Sequence, residues 1–108
     1  MKPITIILAG RFDSARRDLR ELLLPKGWVA GDFHGFRNPN ADEQVRIATR
    51  IEHLAGMDRR TPLYIHPSFS ALSAREYNAI YDMAVSRFVL KSFDRFEKLI
   101  EESTNETD

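Results

Sequence analysis

The sequence predicts a single α/β domain, and three observations predict it. A β-branched run, Ile4 to Ala9, stops at Gly10. Beyond it, apolar residues recur at three- and four-residue spacing, segment after segment. Between those segments lie short apolar runs bracketed by Gly, Pro and Asn. Strands that alternate with helices need crossover connections, which give a parallel sheet with helices on its faces. The expected order is β-α-β-loop-α-β-α-β-α. It implies a three-layer α/β/α sandwich on a mostly parallel sheet of four or five strands.

Each element has a local reason. Ile4 to Ala9 is continuously apolar, as a strand covered on both faces must be. Asp13 or Ser14 supplies an N-cap oxygen for the first helix. Ala15, Leu19, Leu22 and Leu23 form its apolar stripe, Arg16, Arg17, Arg20 and Glu21 its solvated side, and Pro25 with Gly27 ends it. Trp28 to Phe33 reads as a second strand, weakened by Gly31, and His34 to Asn40 as a loop. From Ala41 to Gly56, the spacing of Val45, Ala48, Ile51 and Ala55 predicts a helix. Leu63 to His66 is a short strand between Pro62 and Pro67. Ser73 caps a helix that carries Tyr77, Ile80, Tyr81 and Ala84. Phe88 to Leu90 is the last strand, and Phe93, Phe96, Leu99 and Ile100 line the last helix.

Composition excludes several classes of function. The chain has 108 residues, 43% apolar and 30% charged, which suits one folded domain. Sixteen basic residues balance sixteen acidic ones. That argues against a dedicated nucleic-acid binder, which relies on excess positive charge. The absence of cysteine excludes a disulfide framework, a thiolate metal site and a cysteine nucleophile. It also fits a cytoplasmic protein. The apolar runs are too short to span a membrane. Residues 103–108 read as a disordered acidic tail.

Ligands of a parallel sheet gather at the carboxyl ends of its strands. That rule singles out Arg11 and Asp13 after the first strand, Asp32 near the second, His66 after the next and Lys91 after the last. No glycine-rich phosphate loop is present, and Ser14, Ser68, Ser70 and Ser73 sit in no nucleophile elbow. His34, His53 and His66 lack metal-ligand spacing, so neither a metal nor a cofactor is expected. Lys91 is placed to send its ammonium over the carboxyl edge of the sheet.

One resemblance covers roughly residues 4–102. Thr61-Pro62-Leu63-Tyr64-Ile65, a helix ending at Ala84-Val85, Phe88-Val89-Leu90-Lys91-Ser92-Phe93 and the helix with Phe96, Leu99 and Ile100 resemble the closing half of a response-regulator receiver domain. Ile7-Leu8, the Leu-rich first helix, Gly27-Trp28-Val29 and Asn38-Pro39 are similar to its earlier parts. The resemblance implies a flavodoxin-like fold over residues 1–102 and a place in two-component signal transduction. The family's metal-binding acidic pair is replaced by Ala9-Gly10-Arg11. Its phosphorylated Asp falls on Gly35, with Asp32 the only acid nearby. The resemblance therefore implies a degenerate, non-catalytic receiver that acts through protein contacts. A protein partner, or a second copy, is expected on the last helix-strand-helix face, at Arg75, Tyr81, Arg87, Arg95 and Lys98. Two other resemblances compete. Leu8-Ala9-Gly10-Arg11-Phe12 and Pro67-Ser68 followed by Glu76 are similar to nucleoside deoxyribosyltransferases, which implies Glu76 as nucleophile. Gly10, the first helix and the Phe96 helix resemble a BRCT-like phosphopeptide module, which implies binding through Arg11 and Arg75.

Overall fold

The apolar run at the start of the chain becomes the centre of a six-stranded sheet. A computed structural model describes residues 4–31, 35–41, 43–54 and 61–104. The strands are β1 (Ile4–Leu8), β2 (Val29–Ala30), β3 (Gly35–Asn38), β4 (Glu43–Ala48), β5 (Leu63–Ile65) and β6 (Leu90–Ser92). The α-helices are α1 (Phe12–Leu23), α2 (Ala74–Arg87) and α3 (Phe93–Thr104). The strand order is β2-β3-β4-β1-β5-β6. β4, β1, β5 and β6 pair in parallel, whereas β3 runs antiparallel to both β2 and β4.

This corrects the expected sheet: among the described residues it has six strands, not four or five, and it is mixed. Two misread segments account for the difference. Gly35–Asn38, read as loop, is β3. Residues 41–56, read as a helix, supply β4 and a 3₁₀ turn over Ile51–Leu54. Val45 and Ile47 alternate with half-buried Gln44 and exposed Arg46, and this two-residue period wins because β1 and β3 bond both edges of β4. Asn38 turns the chain between the two strands. Its Oδ1 accepts from Asn40 N–H (3.1 Å) and its Nδ2 donates to Glu43 Oε1 (3.3 Å). Of the expected second strand, Val29–Ala30 forms β2, and its Asp32–Phe33 end lies outside the described residues.

β1 shares its residues between two apolar clusters, because successive strand residues point to opposite faces. Ile7 and Ala9 pack with Ala15, Leu19 and Leu23 of α1, Phe93, Phe96 and Ile100 of α3, and Trp28 and Tyr64. Ile6 and Leu8 pack with Leu54, Leu63, Phe69, Phe88 and the α2 residues Ile80 and Ala84. Leu19 and Leu23 are fully buried, and each such side chain contributes about 1.5–3 kcal/mol by leaving water. Gly27 ends the first helical segment at φ +92°, a left-handed angle that favours glycine. Ser73 caps α2 as expected, its Oγ accepting from Glu76 N–H at 3.3 Å. α3 continues to Thr104, two residues past the expected end of the folded domain at 102. Among the described residues, no helix is long and apolar enough to cross a membrane.

Candidate functional site

The carboxyl ends of β1 and β5 lie side by side, and the chain fills the space between them with its own side chains. Neither Asp13 nor Ser14 caps α1. The helix starts at Phe12, with extended Arg11 at the cap position and no side-chain cap. The amides just ahead of the helix turn to another segment. Gly10 N–H and Arg11 N–H both donate to Ser68 Oγ, at 3.2 Å each. Gly10 is required at this approach, because a Cβ on it would stand 2.2 Å from the Ser68 carbonyl oxygen.

His66 ties this contact to the first helix. Its Nδ1 accepts from Ser68 N–H at 3.1 Å, so the ring proton sits on Nε2. Ser68 O–H then donates to Nδ1 (2.8 Å), and Nε2–H donates to Asp18 Oδ2 (2.7 Å). The chain Ser68–His66–Asp18 thus satisfies both ring nitrogens, and the serine oxygen meets two backbone amides as well. His66 is 3% exposed, the one buried polar residue among those described, and Phe93 packs against its ring at a centroid distance of 4.9 Å. Its order resembles a catalytic triad, but both Ser68 lone pairs are committed to amides, and Nδ1 also caps the 3₁₀ turn Pro67–Ala71. The arrangement is therefore a latch that joins the β1–α1 loop to the β5 end.

Two clefts flank the latch. One, of about 340 Å³, is lined by Ile65, His66, Pro67, Phe69, Ser70, Tyr77, Ser92, Phe93 and Asp94. The other, of about 390 Å³, lies between α1 and α3, and Asp18, Glu21, Asp94 and Glu97 line it. Burial, then the charge of Asp94, holds the Glu97 carboxyl above its ordinary range, with smaller contributions from Glu101 and Asp18. No group of three or more His, Asp or Glu among the described residues is placed to hold a metal ion.

The remaining expected residues fall as follows. Arg11 and Asp13 are exposed. Asp32 lies outside the described residues. Lys91 is corrected: it lies within β6, not after it, and its Nζ stands 6.0 Å from the centre of the Tyr64 ring. Its register partner is Tyr64, so both share one face of the sheet. The strand begins late because Phe88 closes α2, donating its N–H to the Ala84 carbonyl at 2.8 Å. Glu76 is an exposed first-turn residue of α2 and lines neither cleft.

The open edge of the sheet carries the other notable surface. Among the described strands, β6 bonds only to β5. Five large apolar side chains are exposed among the described residues, and four of them are Tyr81, Val85, Val89 and Leu99. Tyr81 stacks on Tyr77 (5.6 Å, 15°), whose ring lines the cleft beside Ser92 at the end of β6. Val85 follows Tyr81 by one turn, and Val89 directly precedes β6. On α3, Glu97 faces α1 across the acidic cleft. Leu99 lies about 200° around the helix from it, on the flank away from α1. Arg95, one turn earlier, shares that flank. Lys98, Arg75 and Arg87 are exposed too, but Arg75 and Arg87 each sit about 120° around α2 from Tyr81, in opposite senses.

Sequence reasoning picked out His66 but not its partners. Asp18 lies 48 residues away, and nothing local marks it. His66-Pro67-Ser68 carried a usable signal, a His whose Nδ1 reaches the second amide ahead. No protein-family model matches the chain, and no curated protein or solved structure is detectably similar to it.

Proposed function

We propose that this chain is a non-catalytic, receiver-like interaction domain of the signalling type, docking a partner protein along the β6 edge between α2 and α3. The observation that carries the proposal is that four exposed apolar side chains fall on the three segments next to the end strand: Tyr81 and Val85 on α2, Val89 just ahead of β6, and Leu99 on α3. Exposed apolar side chains beside unpaired backbone groups favour a protein partner, because strand edges bind by main-chain hydrogen bonds and apolar contacts together. Arg95 adds a cation of the kind enriched at interfaces.

The latch supports the same reading. Numbered in chain order, the four parallel strands read 2-1-3-4, which agrees with the doubly wound order 2-1-3-4-5 and with helices on both faces. Such folds bind ligands in the crevice where the order reverses, here between β1 and β5. In this chain Ser68 takes two amides of the β1–α1 loop, those of Gly10 and Arg11, which border that crevice. Binding then falls to the edge.

Site-directed photo-crosslinking in the cells that make the protein tests the proposal. A photoreactive residue at Val89 or Leu99 is expected to yield one discrete adduct with another protein, and one at Arg17 on α1 none. Equal adducts from all three positions, or none at the edge, would overturn it.

A further inference from the structure

The cleft at the carboxyl ends of β5 and β6 has a composition that selects a ligand, independently of the edge. Its walls are paired rings. Phe69 and Tyr77 stand 4.7 Å apart on one side, and His66 and Phe93 stand 4.9 Å apart on the other. Asp94 brings a carboxylate to the rim, and Ser70 and Ser92 bring hydroxyls. Both nitrogens of His66 are engaged, so it offers the cleft only its apolar ring surface. Among the described residues, no Lys or Arg lines this cleft or the adjoining one, which shares Pro67, Phe93 and Asp94 with it. Its volume, about 340 Å³, is at the lower end of small-ligand sites.

Aromatic rings attract cations through their quadrupole, and a carboxylate accepts N–H bonds from a guanidinium in a fork. An anion would meet Asp94 with no compensating charge among the lining residues. A neutral apolar group would bring the Asp94 carboxylate no cation. We infer that this cleft takes a guanidinium cation, packed against Tyr77 and Phe93 and hydrogen-bonded to Asp94. The cation is the side chain of an arginine, carried by a protein segment or by a free arginine derivative.

Titration of the ¹⁵N-labelled protein with Nα-acetyl-arginine N-methylamide tests this, with the citrulline counterpart as a neutral control of the same shape. The arginine probe is expected to shift the amides of Tyr77, Ser92, Phe93 and Asp94 saturably, and the citrulline probe to leave them in place. Asp94 is exposed, so Asp94→Asn keeps the fold and weakens binding by roughly tenfold or more. Tyr77→Leu gives a second, independent loss. A Gly-Arg-Gly peptide that binds tighter than the single residue assigns the site to a protein segment, and equal affinity assigns it to a small cation. Equal shifts from both probes, no saturable shift, or full affinity in Asp94→Asn would overturn the inference.

Discussion

His66 Nε2 lies 2.7 Å from Asp18 Oδ2, and that contact fixes the end of β5 against the first helix across 48 residues of chain. It is charge-assisted, with one partner buried, and such bonds contribute about 1.5–3 kcal/mol. His66→Ala removes it, opens a cavity beside Phe93 and strands the Ser68 amide. Urea denaturation is expected to show a loss of about 2–4 kcal/mol. Asp18→Asn should cost less, about 1–2 kcal/mol, because Asp18 is partly solvated and the amide still accepts from Nε2. The double mutant should fall short of the sum, as it does for residues in one network.

Ser68 bonds two amides of the β1–α1 loop, so its removal has a local signature. In Ser68→Ala, hydrogen exchange at Gly10 and Arg11 should accelerate, with a stability loss of about 1–3 kcal/mol. Gly10→Ala should be worse. Its new methyl would meet the Ser68 backbone carbonyl, which cannot yield without moving the whole turn.

Glu97 gives the protein a pH dependence of definite sign. Its carboxyl is held above the ordinary range by burial first and by Asp94 next. The folded state therefore holds this proton more tightly than the unfolded chain does. That contribution is full in acid, below the ordinary carboxylate range, and is lost as pH rises through the raised value. Glu97→Gln should accordingly be more stable than the natural chain at neutral pH. Thermal melts at stepped pH are expected to show the advantage vanish in acid.

Surface substitutions at the β6 edge should separate binding from folding. Val89 is 71% exposed and Leu99 53%, so Val89→Asp and Leu99→Asp should change stability by no more than about 0.5 kcal/mol. The same changes should abolish the adduct formed from a photoreactive Val85. Urea melts and crosslinking on the same preparations read both outcomes.

How legible the fold was depended on whether a segment's partners lie nearby in sequence. β1 was readable because a strand buried on both faces is apolar throughout, and α1, α2 and α3 because a helix makes its bonds within itself. β4 was not, because the spacing of Val45, Ala48, Ile51 and Ala55 is that of a helix stripe. Only pairing with β1 and β3 decides for the strand. β3 was hidden by Gly35 and Asn38, turn residues whose strand conformation depends on its neighbours. At the sheet edge, Tyr81 and Arg95 were anticipated. Val85, Val89 and Leu99 were not, since an apolar residue is assigned to the core unless the packing says otherwise. The latch was half visible: His66 stood out by its place at a strand end, whereas Asp18 was one acid among several on a charged helix.

The account rests on the crevice between β1 and β5 being filled by the chain's own Ser68. Titration of the ¹⁵N-labelled protein with beryllofluoride and Mg²⁺ tests this most directly. The account predicts that the Gly10, Arg11 and Lys91 amides stay in place throughout. Saturable shifts at those amides would show an anion entering the crevice and would contradict it.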